Sequence, residues 1–172
     1  MSGRIEPWFR TAVPRGDLLS ARRHDPDSGD LVAAVEAASP QVQRAVAVAQ
    51  ARRQAAALGL AGTPGLGEAL DLAAQGTAEP VPMDSPLGRQ VRAWLDAEKR
   101  ASDSLNGPYR GRLSDAERQH AYGVGWFVNA LRGVLDPDPL VAVLAALRPL
   151  TSGIAVLGDA ATRAEALRHL RG

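Results

Sequence analysis

The chain contains no cysteine, which excludes disulfide frameworks, thiolate nucleophiles and cysteine-based zinc sites together. A reducing, cytoplasmic setting fits that absence. Aromatic residues make up only 4% of the 172 residues, so the core has to be assembled from alanine, leucine and valine. Each tryptophan then becomes a large local contributor. Long apolar runs are missing too: the longest, Leu140 to Leu147, falls far short of the roughly 20 residues of a membrane span. The N-terminus lacks the apolar stretch of a signal peptide. No membrane partner is expected.

Neither sign of charge dominates. Basic and acidic residues number 20 and 19, so no strong overall field steers the molecule toward nucleic acid or lipid. Lysine is nearly missing, since 19 of the 20 basic residues are arginine beside 32 alanines. A GC-rich genome accounts for that bias, although arginine also forks onto phosphate and carboxylate in a way lysine does not.

What is present reads as helix. A chain of this length buries roughly 70% of the surface its unfolded form exposes, enough for one core. Residues 1–28 hold Pro7, Pro14 and Pro26 with no sustained period and read as an irregular N-terminal arm. The Trp8–Phe9 pair in that arm is too apolar to stand in water, so it docks on the parent domain or on a partner. Residues 29–172 read as one helical domain. Residues 30–38 make a short helix closed at Ser39–Pro40, and Pro40 opens a second helix to about Leu58. On that second helix Val42, Val46 and Ala49 share the apolar face, with Arg44, Gln50, Arg52 and Arg53 mostly off it. Leu66 to Gln75 form a third helix, and the proline-rich residues 76–86 a loop.

Leu87, Val91, Trp94, Leu95, Ala101 and Leu105 then recur at helical spacing, with Arg92–Asp96, Asp96–Arg100 and Lys99–Asp103 four apart on the other side. Ser114 and Glu117 form a capping box ahead of a helix whose buried seam is Ala121, Val124, Val128, Leu131 and Leu135. Gly123 and Gly125 interrupt that helix, which implies close approach of a neighbour or a kink. Asp136–Pro137 reads as the next cap, Pro149 as the stop, and a last helix runs to Leu170. Residues 151–158 fit helix, turn or short strand equally. About six or seven helices with no strand pattern argue an all-α bundle.

Chemistry-bearing constellations are sparse. Glu117 and His120 sit one turn apart like half of a di-iron carboxylate site, but Glu165 and His169 carry the wrong spacing for its second half. Asp25, Asp27, Asp30 and Glu36 match a calcium loop partially, with the fifth and sixth places swapped, so a turn is the cheaper reading. Arg163 and His169 are similar in spacing to the Arg-x4–6-His pair of the HEPN helical ribonucleases. That resemblance covers seven residues and implies a phosphodiester cleaved across a dimer; a basic last turn complementing the helix dipole explains the same residues. No family resemblance extends over the length of the chain. No nucleotide loop, cofactor signature or metal site is expected.

One surface combines arginine with aromatics: Tyr109, Arg110 and Arg112, continuing across the cap to Arg118, His120, Tyr122 and Trp126. Such interleaving suits phosphate contact with base stacking. The plainer reading is a solvated loop over packed aromatics. The expectation is therefore a non-enzymatic interaction or assembly module acting on a protein partner or on itself, in the latter case as a homodimer. A nucleic-acid-binding accessory protein is the alternative and a HEPN-like ribonuclease the third.

Overall fold

A computed structural model describes residues 26–172 apart from 107 and 109. Seven α-helices lie there: α1 (Pro26–Ala37), α2 (Pro40–Ala57), α3 (Leu66–Ala74), α4 (Pro86–Asp103), α5 (Asp115–Val134), α6 (Pro139–Leu147) and α7 (Ala160–Arg171). A 3₁₀ turn, Arg148–Thr151, follows α6, and no strand occurs among the described residues. The expected all-α bundle is what forms. None of these helices is long and apolar enough to cross a membrane.

Three helices begin by the same local device. Ser39, Ser85 and Asp138 each accept a backbone N–H, from Val42 at 3.3 Å, Gly88 at 3.0 Å and Leu140 at 2.9 Å, and each is followed by proline at the first helical position. The proline has no N–H to leave unsatisfied, and the cap serves a donor that follows it. The capping box of α5 is complete: Ser114 N–H donates to Glu117 Oε2 at 2.7 Å, and Glu117 N–H donates to Ser114 Oγ at 3.2 Å.

Several boundaries differ from the sequence reading. The cap of α6 lies two residues beyond the expected Asp136, because Asp136 Oδ1 accepts the N–H of Asp138 at 2.9 Å and Asp138 takes the cap. α1 begins at Pro26, so Asp30 and Glu36 of the partial calcium-loop match stand on a helix, while Asp25 lies outside the described residues. Residues 152–158 are bends and turns ahead of the Asp159 cap of α7, and only Leu157 of that stretch is fully enclosed. Leu105 lies past the end of α4 and is 51% exposed rather than part of the buried stripe. Of the three expected charge pairs on α4, Lys99–Asp103 forms, at 2.8 Å.

Helix α2 runs through the middle of the molecule, packed chiefly on α6 and also on α3, α5 and α7. That environment overrides the expected polar face. Val46 is buried as expected and Val42 half-buried, but Ala49 is exposed while Gln43, Arg44, Gln50 and Gln54 are buried. Each of these four side chains makes at least one hydrogen bond, to a backbone carbonyl or to another side chain. Gln43 Nε2 donates to Val35 O at 2.9 Å and Gln54 Nε2 to Ala146 O at 2.8 Å. The Arg44 guanidinium donates to three carbonyls where α5 ends, Val134 at 3.3 Å, Asp136 at 2.8 Å and Pro137 at 2.6 Å. A cation there also meets the negative end of the helix dipole.

Helices α4 and α5 form an antiparallel hairpin, in which Trp94 meets Phe127 edge to face, with ring centroids 6.1 Å apart, and Glu98 lies on Gly125. The two glycines of α5 mark close approaches, and α5 runs unbroken through both. A β-carbon on Gly123 would stand 3.0 Å from Leu58 Cδ2 of the α2 C-cap, and one on Gly125 would stand 2.2 Å from the Glu98 carboxyl carbon.

Candidate functional site

Moving from the Glu98–Gly125 contact toward the 104–114 loop, the α4–α5 hairpin changes character. The facing positions become Ala97 on α4 and Ala116 and Ala121 on α5, whose short side chains do not fill the space between the two helices. The result is a cavity of about 870 Å³. Trp94, Leu113 and Val124 supply apolar wall, and Leu60, from the joint between α2 and α3, closes it from below. Volume and lining fall within the range of sites that bind small molecules or side chains.

The rim carries Arg100, Asp103, Arg112, Glu117 and His120. Its two acids are already engaged. Asp103 accepts from Lys99 at 2.8 Å, and Glu117 accepts the backbone and hydroxyl of Ser114, each at 2.7 Å. Those hydrogen bonds, the hydroxyl's first, hold the Glu117 carboxyl below the usual glutamate range. Arg100 and His120 are exposed, and their side chains make no hydrogen bond or ion pair among the described residues. The free capacity of the rim is therefore for an anion.

On the other side of the hairpin lies a smaller cleft of about 260 Å³, bounded by Glu98, Trp126, Asn129 and Arg148. Burial against α5 pushes the Glu98 carboxyl up from its ordinary value. The Arg148 guanidinium lies 5.4 Å from the Trp126 ring centroid, a cation–π distance. Arg148 thereby occupies one face of the indole.

The residues singled out from sequence thus divide into separate groups. Arg112 and His120 border the large cavity; Arg110 is exposed on the loop before it. Arg118 turns back into its own cap, with Nη1 donating to Leu113 O at 2.5 Å and Nη2 to Asp115. Trp126 belongs to the opposite cleft. Trp8, Phe9 and Tyr109 lie outside the described residues. Sequence reading missed Trp94, Ala97 and Arg100 as cavity residues, because an apolar stripe with charged neighbours is also what an ordinary packed helix presents.

The remaining constellations do not assemble. Glu117 serves the cap beside His120, and no group of three potential metal ligands forms among the described residues. Arg163 and His169 stand six residues apart on α7, about 120° around a helix of 3.6 residues per turn, and so do not share a face. On α7 Asp159 caps the start and Arg168, His169 and Arg171 occupy the last turn, the arrangement the dipole favours. No family model, curated protein or solved structure matches this chain.

Proposed function

We propose that the chain is a non-enzymatic interaction module, and that the cavity between α4 and α5 receives an apolar segment of a protein partner carrying a carboxylate. The observation that carries this reading is the combination of an 870 Å³ apolar hollow with a rim whose acids are spoken for and whose Arg100 and His120 are not. An aromatic or aliphatic anchor would gain from leaving water, and a neighbouring carboxylate would meet the Arg100 guanidinium and the His120 imidazole. Ser104, the one hydroxyl residue of the lining, donates to Ala101 O of its own helix at 2.7 Å. The nucleic-acid alternative draws less support, since Arg118 and Trp126 are directed elsewhere.

The test uses a synthetic amphipathic peptide of leucine, tryptophan and glutamate, with its lysine counterpart as charge control, titrated by fluorescence into the full-length chain and into its Trp8→Ala/Phe9→Ala variant. Anilinonaphthalene sulfonate, an aromatic body with one anionic group, serves as a second probe. Saturable binding of the glutamate peptide is expected, with the lysine peptide weaker by about tenfold, the scale of one lost charge contact. Ala97→Trp, which puts an indole inside the hollow, should weaken it about tenfold or more with helical circular dichroism unchanged. Absence of saturable binding of either probe in both chains, or binding that Ala97→Trp leaves intact, overturns the reading.

A further inference from the structure

Resting on the reading just given, we infer that the partner segment enters the α4–α5 cavity as a short α-helix, apolar at one end and carrying its carboxylate toward the other. The lining recurs once per turn on both walls. On α4 it comes from Trp94, Ala97, Arg100 and Ser104, and on α5 from Ala116, His120 and Val124, always in steps of three or four residues. From Trp94 to Ser104 the helix axis advances about 15 Å, close to three turns. A hollow of that length takes a row of side chains, where a single turn would hold one anchor.

Two properties of the walls select a helix over an extended strand for that row. The first is hydrogen bonding. Backbone groups inside α4 and α5 are bonded along their own helices, so the walls present no free edge, and the buried amides of an extended peptide would stay unsatisfied. A helix arrives with its backbone bonded internally. The second is spacing. Helical walls repeat about every 5.4 Å, whereas side chains on one side of a strand recur about every 6.8 Å and fall out of step within three turns. Ridges at i, i+4 and i+7 of a third helix keep step.

Charge sets which way round the segment lies. Residues 99–120, at the loop end, contain Lys99, Arg100, Arg110, Arg112 and Arg118. Against those five stand three acids, Asp103, Asp115 and Glu117, which leaves an excess of two positive charges before His120 is counted. Lys99 meets Asp103 and Arg118 meets Asp115, so the Arg100 guanidinium keeps its charge for the occupant. At the opposite end the lining is Leu60, Trp94 and Val124, all uncharged. A helix with apolar residues at i and i+4 beside Trp94 and an acid at i+7, about 10 Å along from the first, suits both ends.

Two labelled peptides of identical composition, built of alanine, leucine, tryptophan and one glutamate, separate shape from stickiness. In one the apolar residues stand at i and i+4 with the glutamate at i+7; in its isomer the same residues alternate as on a strand. Both are titrated by fluorescence anisotropy into the full-length chain. The helical isomer is expected to bind about tenfold more tightly than the alternating one and to gain helical circular dichroism on binding, since so short a peptide is largely unfolded alone. Proline at its centre should lose that advantage. Arg100→Glu should weaken the glutamate peptide about tenfold and strengthen its lysine counterpart. Equal affinities for the two isomers, tighter binding of the alternating one, or binding without a gain of helical signal overturns the inference and leaves the functional reading standing. So does an Arg100→Glu chain that binds both charge forms as the wild-type chain does. If neither isomer saturates, the functional reading falls and the helical occupant with it.

Discussion

At the scale of single residues, the buried polar side chains of α2 show how position outweighs residue type. Arg44 is only 8% exposed, and its guanidinium ties the start of α2 to the end of α5 and the turn into α6. The carbonyls it serves belong to the end of a helix, where no further backbone N–H follows in register to satisfy them. Replacing Arg44 by methionine keeps much of the stem packing but removes the charged donors. A loss of about 2–4 kcal/mol follows, from charge-assisted hydrogen bonds and buried carbonyls left unmade. Urea denaturation checks the value, and Arg44→Lys should recover only part of it, because a single ammonium cannot fork across three acceptors. An unchanged midpoint for Arg44→Met would show that the contacts are incidental. Gln54 is fully enclosed as well, with Nε2 bonded to Ala146 O while its Oε1 has no partner among the described residues.

At the scale of elements, caps decide where helices begin, and two of them are sensitive to acid. Glu117 is held below the ordinary glutamate range chiefly by the Ser114 hydroxyl, and Asp159 below the ordinary aspartate range chiefly by the backbone N–H of Thr162. A carboxyl whose folded value is depressed contributes stability that is present above its unfolded value and lost as pH falls through the folded one. The caps of α5 and α7 should therefore weaken on acidification below about pH 4, the unfolded range of these groups. Glu98 has the opposite sign: burial raises its folded value, so it favours the folded chain at low pH and ceases to do so as pH rises through that raised value. Thermal unfolding followed from pH 7 to pH 3 tests the cap contribution. Glu117→Gln, which retains an acceptor but no titration, should show a shallower acid loss than the wild-type chain, and an identical slope would count against the cap.

Close approach between elements has a different character at different glycines. At Gly125 the obstructing atoms are the mobile end of Glu98, whereas at Gly88 a β-carbon would stand 2.1 Å from the backbone oxygen of Pro82 and 2.9 Å from Met83 Cα. A side chain can swing away and a backbone cannot. Gly88 thus anchors the proline-rich 76–86 segment onto the first turn of α4, and Gly125 sets the closeness of the α4–α5 hairpin at the point where the cavity begins.

At the scale of the whole molecule, one apolar cluster joins α1 to α7, from Leu31 and Val35 through Val46, Phe127 and Val143 to Leu170. The hairpin carrying the cavity is part of it through Trp94, Val124 and Val128. A shared core predicts a single cooperative transition: far-ultraviolet and near-ultraviolet circular dichroism should lose signal at the same temperature. Earlier loss of the near-ultraviolet signal would mean that the hairpin loosens on its own.

The sequence by itself determined the class of fold and most of the helix starts. Ser39–Pro40, Ser85–Pro86 and the Ser114–Glu117 box act over two to four residues, a range within which the chain needs no tertiary partner to settle its conformation. The three-and-four stepping of Val124, Val128 and Leu131 likewise names a buried seam whichever helix covers it. Tertiary structure alone decided which sides of α2 lie inside, because a helix packed on four others has almost no outward face on which to keep Arg44 and Gln50. It also decided that Arg112 and His120 meet Arg100 and Trp94 around a hollow while Arg118 and Trp126 turn away. Periodicity records how apolar each position is; the space left between two helices depends on the side chains of both and on how far apart a glycine elsewhere lets them stand.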